Sequence, residues 1–402
     1  MQHYRILIRR FIRTVVLLSG LLPWFPAGAD NPSPQCPPQP GSQAIRLGTT
    51  TALSGPAQHL GESMVKGMLQ RLKEENCNPF WRNKAMHFEL SVLDDSYNPD
   101  IAERNTRHLI NEHRVVALVG NVGTPTAARA WPIANQAGVI FYGAYTGASS
   151  LRQDPPAPYV FNYRGSYDQE MARILEEIVF RQRIAIPQIG IFFQNDAFGN
   201  AGLTAAERHL ESYCGDCKHG LLKMRYERNT LRIADALQTF IQARPQPQAL
   251  ILVGTSEPCA DLIRFTHRIT PNTQFYSLSF VGASALAAEL AGVPAKVFVG
   301  QVIPQLEDEK KFASTHWPAP GSDGGFNEVA REGYLALGVF FEAARDIDGA
   351  ITSEALRESL LRTERRLSPT AKTLDQQMMD QVWLVQLRLS ADAAMSSLGA
   401  RN

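Results

Sequence analysis

Residues 118–130, LVGNVGTPTAARA, place the end of an apolar strand and the start of a helix within one short stretch. Val115 to Val119 is a short apolar run that reads as a buried strand. Gly120 and Gly123 allow a tight turn. Thr124-Pro125-Thr126 then opens a helical pattern. Thr124 suits the cap, and Pro125 suits the first helical position, where its missing N–H leaves nothing unpaired. The free N–H groups of such a helix start attract an anion. A phosphate-binding loop would carry Gly-Lys-Ser/Thr, and that motif is absent here.

The same strand–turn–helix rhythm extends in both directions. IRLGTT (45–50) is a strand, and Met64, Val65, Met68, Leu69 and Leu72 mark one face of a helix. Phe88, Leu90 and Val92 alternate as a second strand, Asn98-Pro99 starts another helix, and Val139 to Gly143 is a fourth strand. The rhythm then restarts. A helix over 171–180, a strand over 189–193 and a helix over 202–210 precede strands near 221–226, 249–253, 273–278 and 297–302. Residues 328–345 read as a long helix, Leu356, Leu360 and Leu361 as a shorter one, and 382–387 as a last strand. The pattern predicts an α/β fold of two doubly wound, parallel-sheet lobes joined by a hinge. Ligands in such sheets bind beyond the carboxyl ends of the strands. Five loops begin where an apolar strand stops: 120–126, 143–149, 196–199, 254–257 and 279–282. One cleft shared by both lobes accounts for all five.

The 402 residues are 44% hydrophobic and 20% charged, enough for two or three domains with an ordinary core. Residues 1–29 read as a signal peptide. Arg5, Arg9, Arg10 and Arg13 form a basic head, an apolar run follows, and Ala27-Gly28-Ala29 fits the small-residue cleavage rule. The run is too short for a membrane span. Cleavage before Asp30 and export to a bacterial periplasm are expected, with a twin-arginine route as the alternative to the general one. The leader holds four arginines and no acid, so 40 basic residues fall to 36 against 39 acidic ones, a net charge near −3. That balance argues against a nucleic-acid partner. No second long apolar run occurs, so no stable membrane insertion is expected. Residues 30–43 are a Pro-rich linker and 389–402 a loose tail. Between them, one lobe covers about 44–165 and 303–365, the other about 166–302 and 366–388.

Several motifs together carry a family resemblance. LSGPAQHLGES, GNVGTPTAARA, FYGAYTGASSLR, FNYRGSYDQE, QNDAFGNAGL, FYSLSFVGASAL, GQVIP and EGYLALGVFFEA occur in order from Ile45 to Leu387. In these the chain resembles the type I periplasmic solute-binding proteins of ABC importers, the branched-chain amino-acid-binding class. The resemblance implies that the first two loops hold a ligand carboxylate through hydroxyls and backbone N–H groups. The matching positions are Thr124, Ala144 (through its backbone) and Thr146. A carboxylate accepting charge-assisted hydrogen bonds needs no lysine. The acid that meets the ligand's ammonium in the family aligns with Ser279, and the positions aligned with Phe198 and Thr255 are tyrosines in the best-known members. Without an acid at 279 an ammonium is poorly paired unless Glu257 or Asp168 substitutes. Tyr145, Phe198 and Phe280 suit an apolar or aromatic acid. Tyr167 either reaches the cleft or braces the hinge, and Arg164 reads as a structural ion pair.

The ligand set is therefore Thr124, Ala144, Tyr145, Thr146, Tyr167, Phe198, Thr255, Ser279 and Phe280. No metal, cofactor or catalytic residue is expected. The histidines lack H-E-x-x-H spacing and no G-x-S-x-G elbow occurs, so the chain does not read as an enzyme. Asp94-Asp95 reads as capping the loop after its strand. The resemblance implies a small carboxylate ligand and the permease subunits of an ABC importer as partners; a membrane sensor is the alternative output, and a periplasmic enzyme the contrary reading. Of five cysteines, Cys36 is expected to pair with Cys77, because the start of the first strand and the end of the first helix lie on one edge of a parallel sheet. Cys214-Gly-Asp-Cys217 reads as a local disulfide, with a metal site recruiting His209 and His219, or a redox pair, as the other readings. Cys259 remains as the free thiol.

Overall fold

Residues 43–161 build one parallel sheet, and a computed structural model gives its strands as β1 (Gln43–Thr51), β2 (Met86–Asp94), β3 (Ala117–Val119), β4 (Ile140–Tyr142) and β5 (Val160–Phe161). The structure describes residues 36–303, 325–367 and 375–389, the side chains of residues 217 and 218 excepted. The strand order is β2-β1-β3-β4-β5, so the order reverses between β1 and β3. Leu47 in the middle of β1 lies opposite Leu90 of β2 and Ala117 of β3. Strands covered on both faces read as near-continuous apolar runs, and ALV and IFY are buried at every position.

Four helices alternate with these strands: α1 (Gln58–Cys77), α2 (Pro79–Asn83), α3 (Pro99–Asn111) and α4 (Thr124–Gln136). Leu60, Met64 and Met68 recur every fourth residue on the buried face of α1. Asn98 caps α3, its side chain accepting from the Asp100 and Ile101 N–H groups.

The chain leaves β5 through residues 162–166 and enters α5 (Tyr167–Leu175), whose start carries a reciprocal capping box of Ser166 and Gln169. A second sheet follows, with β6 (Ile189–Gln194), β7 (Leu222–Tyr226), β8 (Ala249–Val253), β9 (Gln274–Ser277), β10 (Lys296–Gln301) and β11 (Trp383–Gln386). Its order is β11-β10-β9-β8-β6-β7. All neighbours are parallel except β11, which runs antiparallel to β10. Helices α6 (Ala197–Cys214), α7 (Ala234–Gln242), α8 (Ser256–Ile269) and α9 (Ala283–Glu289) alternate with these strands. The second reversal of order falls between β6 and β8.

Two late helices, α10 (Glu328–Arg345) and α11 (Ser353–Leu367), return to the first sheet. Phe341 of α10 meets Phe88 edge-on at 4.7 Å, the Tyr142 hydroxyl donates to the Ala336 carbonyl at 2.9 Å, and Ser353 Oγ donates to the Val116 carbonyl. Gly67 lets α1 and α10 touch, since a Cβ there would stand 1.8 Å from the Ala330 carbonyl oxygen. The last strand, β11, then rejoins the second sheet. The chain thus forms two doubly wound α/β lobes, as the rhythm predicts. Two elements escape that rhythm: β5, with two residues, and α2, with five.

Cys36 and Cys77 are bonded, with Cα atoms 5.2 Å apart, and Cys259 is free and buried. Cys214, at the end of α6, is disulfide-bonded. The expected leader, residues 30–35 of the Pro-rich linker and the tail beyond residue 389 lie outside the described residues. Among the described residues no helix is long and apolar enough to cross a membrane.

Candidate functional site

Both reversals of strand order put the carboxyl ends of their strands on one seam between the lobes. From the first lobe come the loops after β2, β3 and β4; from the second, the loops after β6, β8 and β9. All nine residues of the predicted set are buried there: Thr124, Ala144, Tyr145, Thr146, Tyr167, Phe198, Thr255, Ser279 and Phe280.

The first rim is made of hydroxyls. Thr124 Oγ1 and Thr146 Oγ1 are 2.7 Å apart and share a hydrogen bond, and the Tyr167 hydroxyl lies 3.4 Å from Thr124 Oγ1. Thr146 Oγ1 also accepts from the Ala148 N–H at 3.2 Å. Burial raises the Tyr167 hydroxyl above the ordinary tyrosine value. One expectation is corrected here. Thr124 is not the cap of α4; it is the first helical residue, the cap is Gly123, and no side chain caps the helix. Gly123 holds φ at +106°, where glycine is favoured, and a Cβ on it would stand 2.1 Å from the Tyr97 ring. The backbone turn thereby replaces the cap and leaves the Thr124 hydroxyl for Thr146 and Tyr167.

Aromatic rings close the seam. Phe280 packs on Phe198 at 4.4 Å, on Tyr145 at 5.4 Å and on Tyr97 at 6.3 Å between centroids, and Tyr167 meets Phe198 at 5.4 Å. Rings from both lobes therefore touch in this conformation. Tyr97 is a residue the sequence reading missed. It follows Asp94-Asp95, which hold their turn by accepting from the N–H groups of Leu53, Ser96 and Tyr97 and from the hydroxyls of Thr50 and Ser54. Its hydroxyl accepts from Gln194 Nε2 of the other lobe at 3.4 Å. A cavity of about 160 Å³ adjoins the rings, lined by Gly147, Ser149, Arg152, Ser166, Tyr167 and Arg208 among others. That is smaller than the roughly 300–1,000 Å³ of ordinary ligand pockets.

The second rim is charged. Ser279 donates its N–H to Glu170 Oε2 at 2.6 Å and its hydroxyl to Glu170 Oε1 at 2.9 Å. Its carbonyl accepts from the Tyr145 hydroxyl at 3.1 Å, and Arg164 Nη2 donates to its Oγ. Arg164 Nε stands 3.4 Å from Glu332 Oε1, and the guanidinium carbon lies 4.2 Å from the centre of the Tyr145 ring. Arg164 is thus an ion-paired residue, as expected. Burial opposes its charge, but Glu332, Tyr145 and Glu170 outweigh that and raise its pKa. Burial pushes the Glu332 carboxyl up to about 7 against the pull of Arg164. Burial likewise raises Glu170. Neither glutamate was singled out from sequence. Asp168, considered as a partner for a cation, is engaged instead by Arg208 and by His209 at 2.8 Å. Thr255 donates its N–H to the Tyr226 hydroxyl at 3.0 Å. Among the described residues no group of three or more His, Cys, Asp or Glu is placed to hold a metal ion.

A family model described as periplasmic binding protein matches residues 44–394. The solved structure of a possible leucine/isoleucine/valine-binding protein from Rhodopirellula baltica SH 1 is 32% identical, with a TM-score of 0.75 over 89% of this chain and 96% of its own. A substrate-binding periplasmic protein from Ralstonia solanacearum is 23% identical, with a TM-score of 0.66 over 85% and 96%. A branched-chain amino acid ABC transporter from Thermus thermophilus, with bound valine, is 16% identical, with a TM-score of 0.68 over 87% and 94%. The last two show a shared fold alone. No curated protein matches. The family and these neighbours are substrate-binding proteins, not enzymes. With its two doubly wound lobes and its buried seam of strand-end loops, the chain belongs to the periplasmic binding protein family and has a solute-binding role.

Proposed function

We propose that the protein captures a small carboxylate-bearing solute between its lobes in the periplasm and delivers it to an ABC importer. The observation that carries this reading is the buried hydroxyl trio of Thr124, Thr146 and Tyr167 at the start of α4. Uncharged donors at a helix start offer a carboxylate several hydrogen bonds without the desolvation of a lysine. The aromatic rings beside them suit an apolar body on the same molecule, an aliphatic or aromatic acid, amide or amino acid. The lobes open and close about the segments that cross between them, residues 162–166 among them. A ligand that touches both rims binds the closed form better and shifts the population toward it. The role of a leader ending near Ala29, and docking on permease subunits, belong to the same proposal.

A thermal-shift screen of small acids, amides and amino acids tests it. At a hundredfold excess over the dissociation constant a ligand adds about 2.7 kcal/mol of stability. Thr124→Ala and Thr146→Ala should each weaken any hit by about tenfold, the worth of one charge-assisted hydrogen bond. Unchanged affinity in both variants would reject the carboxylate assignment.

A further inference from the structure

The guanidinium of Arg164 sits in the seam itself. Its side chain is fully buried, its carbon lies over the Tyr145 ring of the first lobe, and Nη2 reaches Ser279 of the second. A guanidinium presents Nε and Nη2 on one edge; here Nη2 donates to Ser279, while Nε faces Glu332 Oε1 at 3.4 Å as an ion pair without a hydrogen bond. Nη1 is left. It is buried and has no hydrogen-bond partner among the described residues. An unmet donor on a buried cation is costly, and such groups are almost always satisfied by something.

The surrounding charges do not favour a cation as that something. Both Glu170 oxygens already accept from Ser279. Glu332 Oε1 also lacks a hydrogen bond, but it faces Arg164 Nε at 3.4 Å, so an ammonium seated on it would meet the guanidinium. An oxygen acceptor beside Nη1 meets no such penalty.

We propose that Arg164 is the specificity-determining residue, its Nη1 donating to a second oxygen of the solute, separate from the carboxylate at Thr124 and Thr146. The captured molecule then carries two oxygen-acceptor groups and no ammonium: a dicarboxylate, an oxo acid or a monoamide of a diacid. This rests on the carboxylate reading of the same seam and narrows it.

Two matched series measured by calorimetry on the full mature chain test it. One is 4-methylpentanoate, its 2-oxo derivative and leucine. The other is pentanoate, glutarate, glutaramate and 5-aminopentanoate. In at least one series an oxygen-bearing member should bind about tenfold to a hundredfold tighter than the parent acid, the worth of a hydrogen bond to a charged group. The ammonium-bearing member should bind no better than the parent. Arg164→Lys should erase the gain, so that the oxygen-bearing member binds no tighter than its own parent acid in that variant. The wild-type series decides the matter even where that variant does not fold. Binding of the parent acids with no gain from the second oxygen, or tightest binding by leucine and 5-aminopentanoate, overturns this proposal alone. No binding by any acid overturns the carboxylate reading and this one with it.

Discussion

On one side of the seam, Thr124, Thr146 and Tyr167 present three buried hydroxyls and no charge; on the other, Arg164, Glu170 and Glu332 hold three buried charges around Ser279. The hydroxyl rim comes from two loops of one lobe and the first residue of α5, and Thr124 and Thr146 are 22 residues apart. The charged rim draws on the crossing segment, α5, the end of β9 and α10, with Arg164 and Ser279 separated by 115 residues. The difference is one of cost. A buried hydroxyl needs a single partner and is cheap to leave in water when the lobes part. A buried charge needs its counter-charge in place at every stage of folding and opening. The uncharged rim is therefore free to meet a ligand, whereas the charged rim must first satisfy itself.

The sharpest way to break that contrast is Arg164→Met. It leaves Glu170 and Glu332 buried without their cation, and breaking a buried pair in this way costs about 3–5 kcal/mol. Urea unfolding at neutral pH should show a loss of that order; a loss near that of a single neutral hydrogen bond would mean the charges are not interdependent. Tyr145→Phe asks for less. It removes the hydroxyl that joins the lobes through the Ser279 carbonyl and strands that acceptor, at a cost of about 1–3 kcal/mol. Stability equal to wild type would show that the carbonyl finds another donor.

The smallest effect at any one pH is a slope. Glu332 titrates near 7 in the folded protein against an ordinary value of 4.5. The folded state therefore holds this proton more tightly than the unfolded chain. The stabilising contribution of that protonation is fully present at the acid end and is lost as pH rises from about 4.5 through 7. Glu332→Gln should cancel it, so its stability relative to wild type should improve steadily across that window and level off above it. A difference that does not change between pH 5 and 7.5 would remove Glu332 from the titrating groups of the seam.

Legibility in sequence followed locality. The Val115–Thr126 stretch announces strand, turn and helix through apolar run, glycine and proline, and the structure has β3 ending at Val119 and α4 opening at Thr124. The bounds of β8 and of α10 fall where the patterns place them. The cap of α4 did not, because Gly123 serves through its backbone conformation and through room for the Tyr97 ring, and neither is visible in a residue type. β5 contributes only Val160 and Phe161, too few residues for any period to emerge. Of the candidate residues buried in the seam, most lie just past a strand, Tyr167 follows the crossing segment, and the family resemblance singled out Thr124, Ala144 and Thr146. Tyr97 lies past one too, but its neighbours Asp94 and Asp95 dominate the reading of that turn.

Composition and strand–helix rhythm were enough to determine two doubly wound lobes with strand-end loops facing one seam, and the candidate residues there came from the family resemblance that the short motifs carry. The lobes and their loops are properties of contiguous residues, governed by turn chemistry and by the period of apolar side chains. Which charges meet in the seam was decided only by the tertiary structure. Glu170 and Glu332 look like solvated helix positions until the fold brings α5 and α10 to Arg164, and nothing local to a glutamate records the distant cation that allows it to be buried.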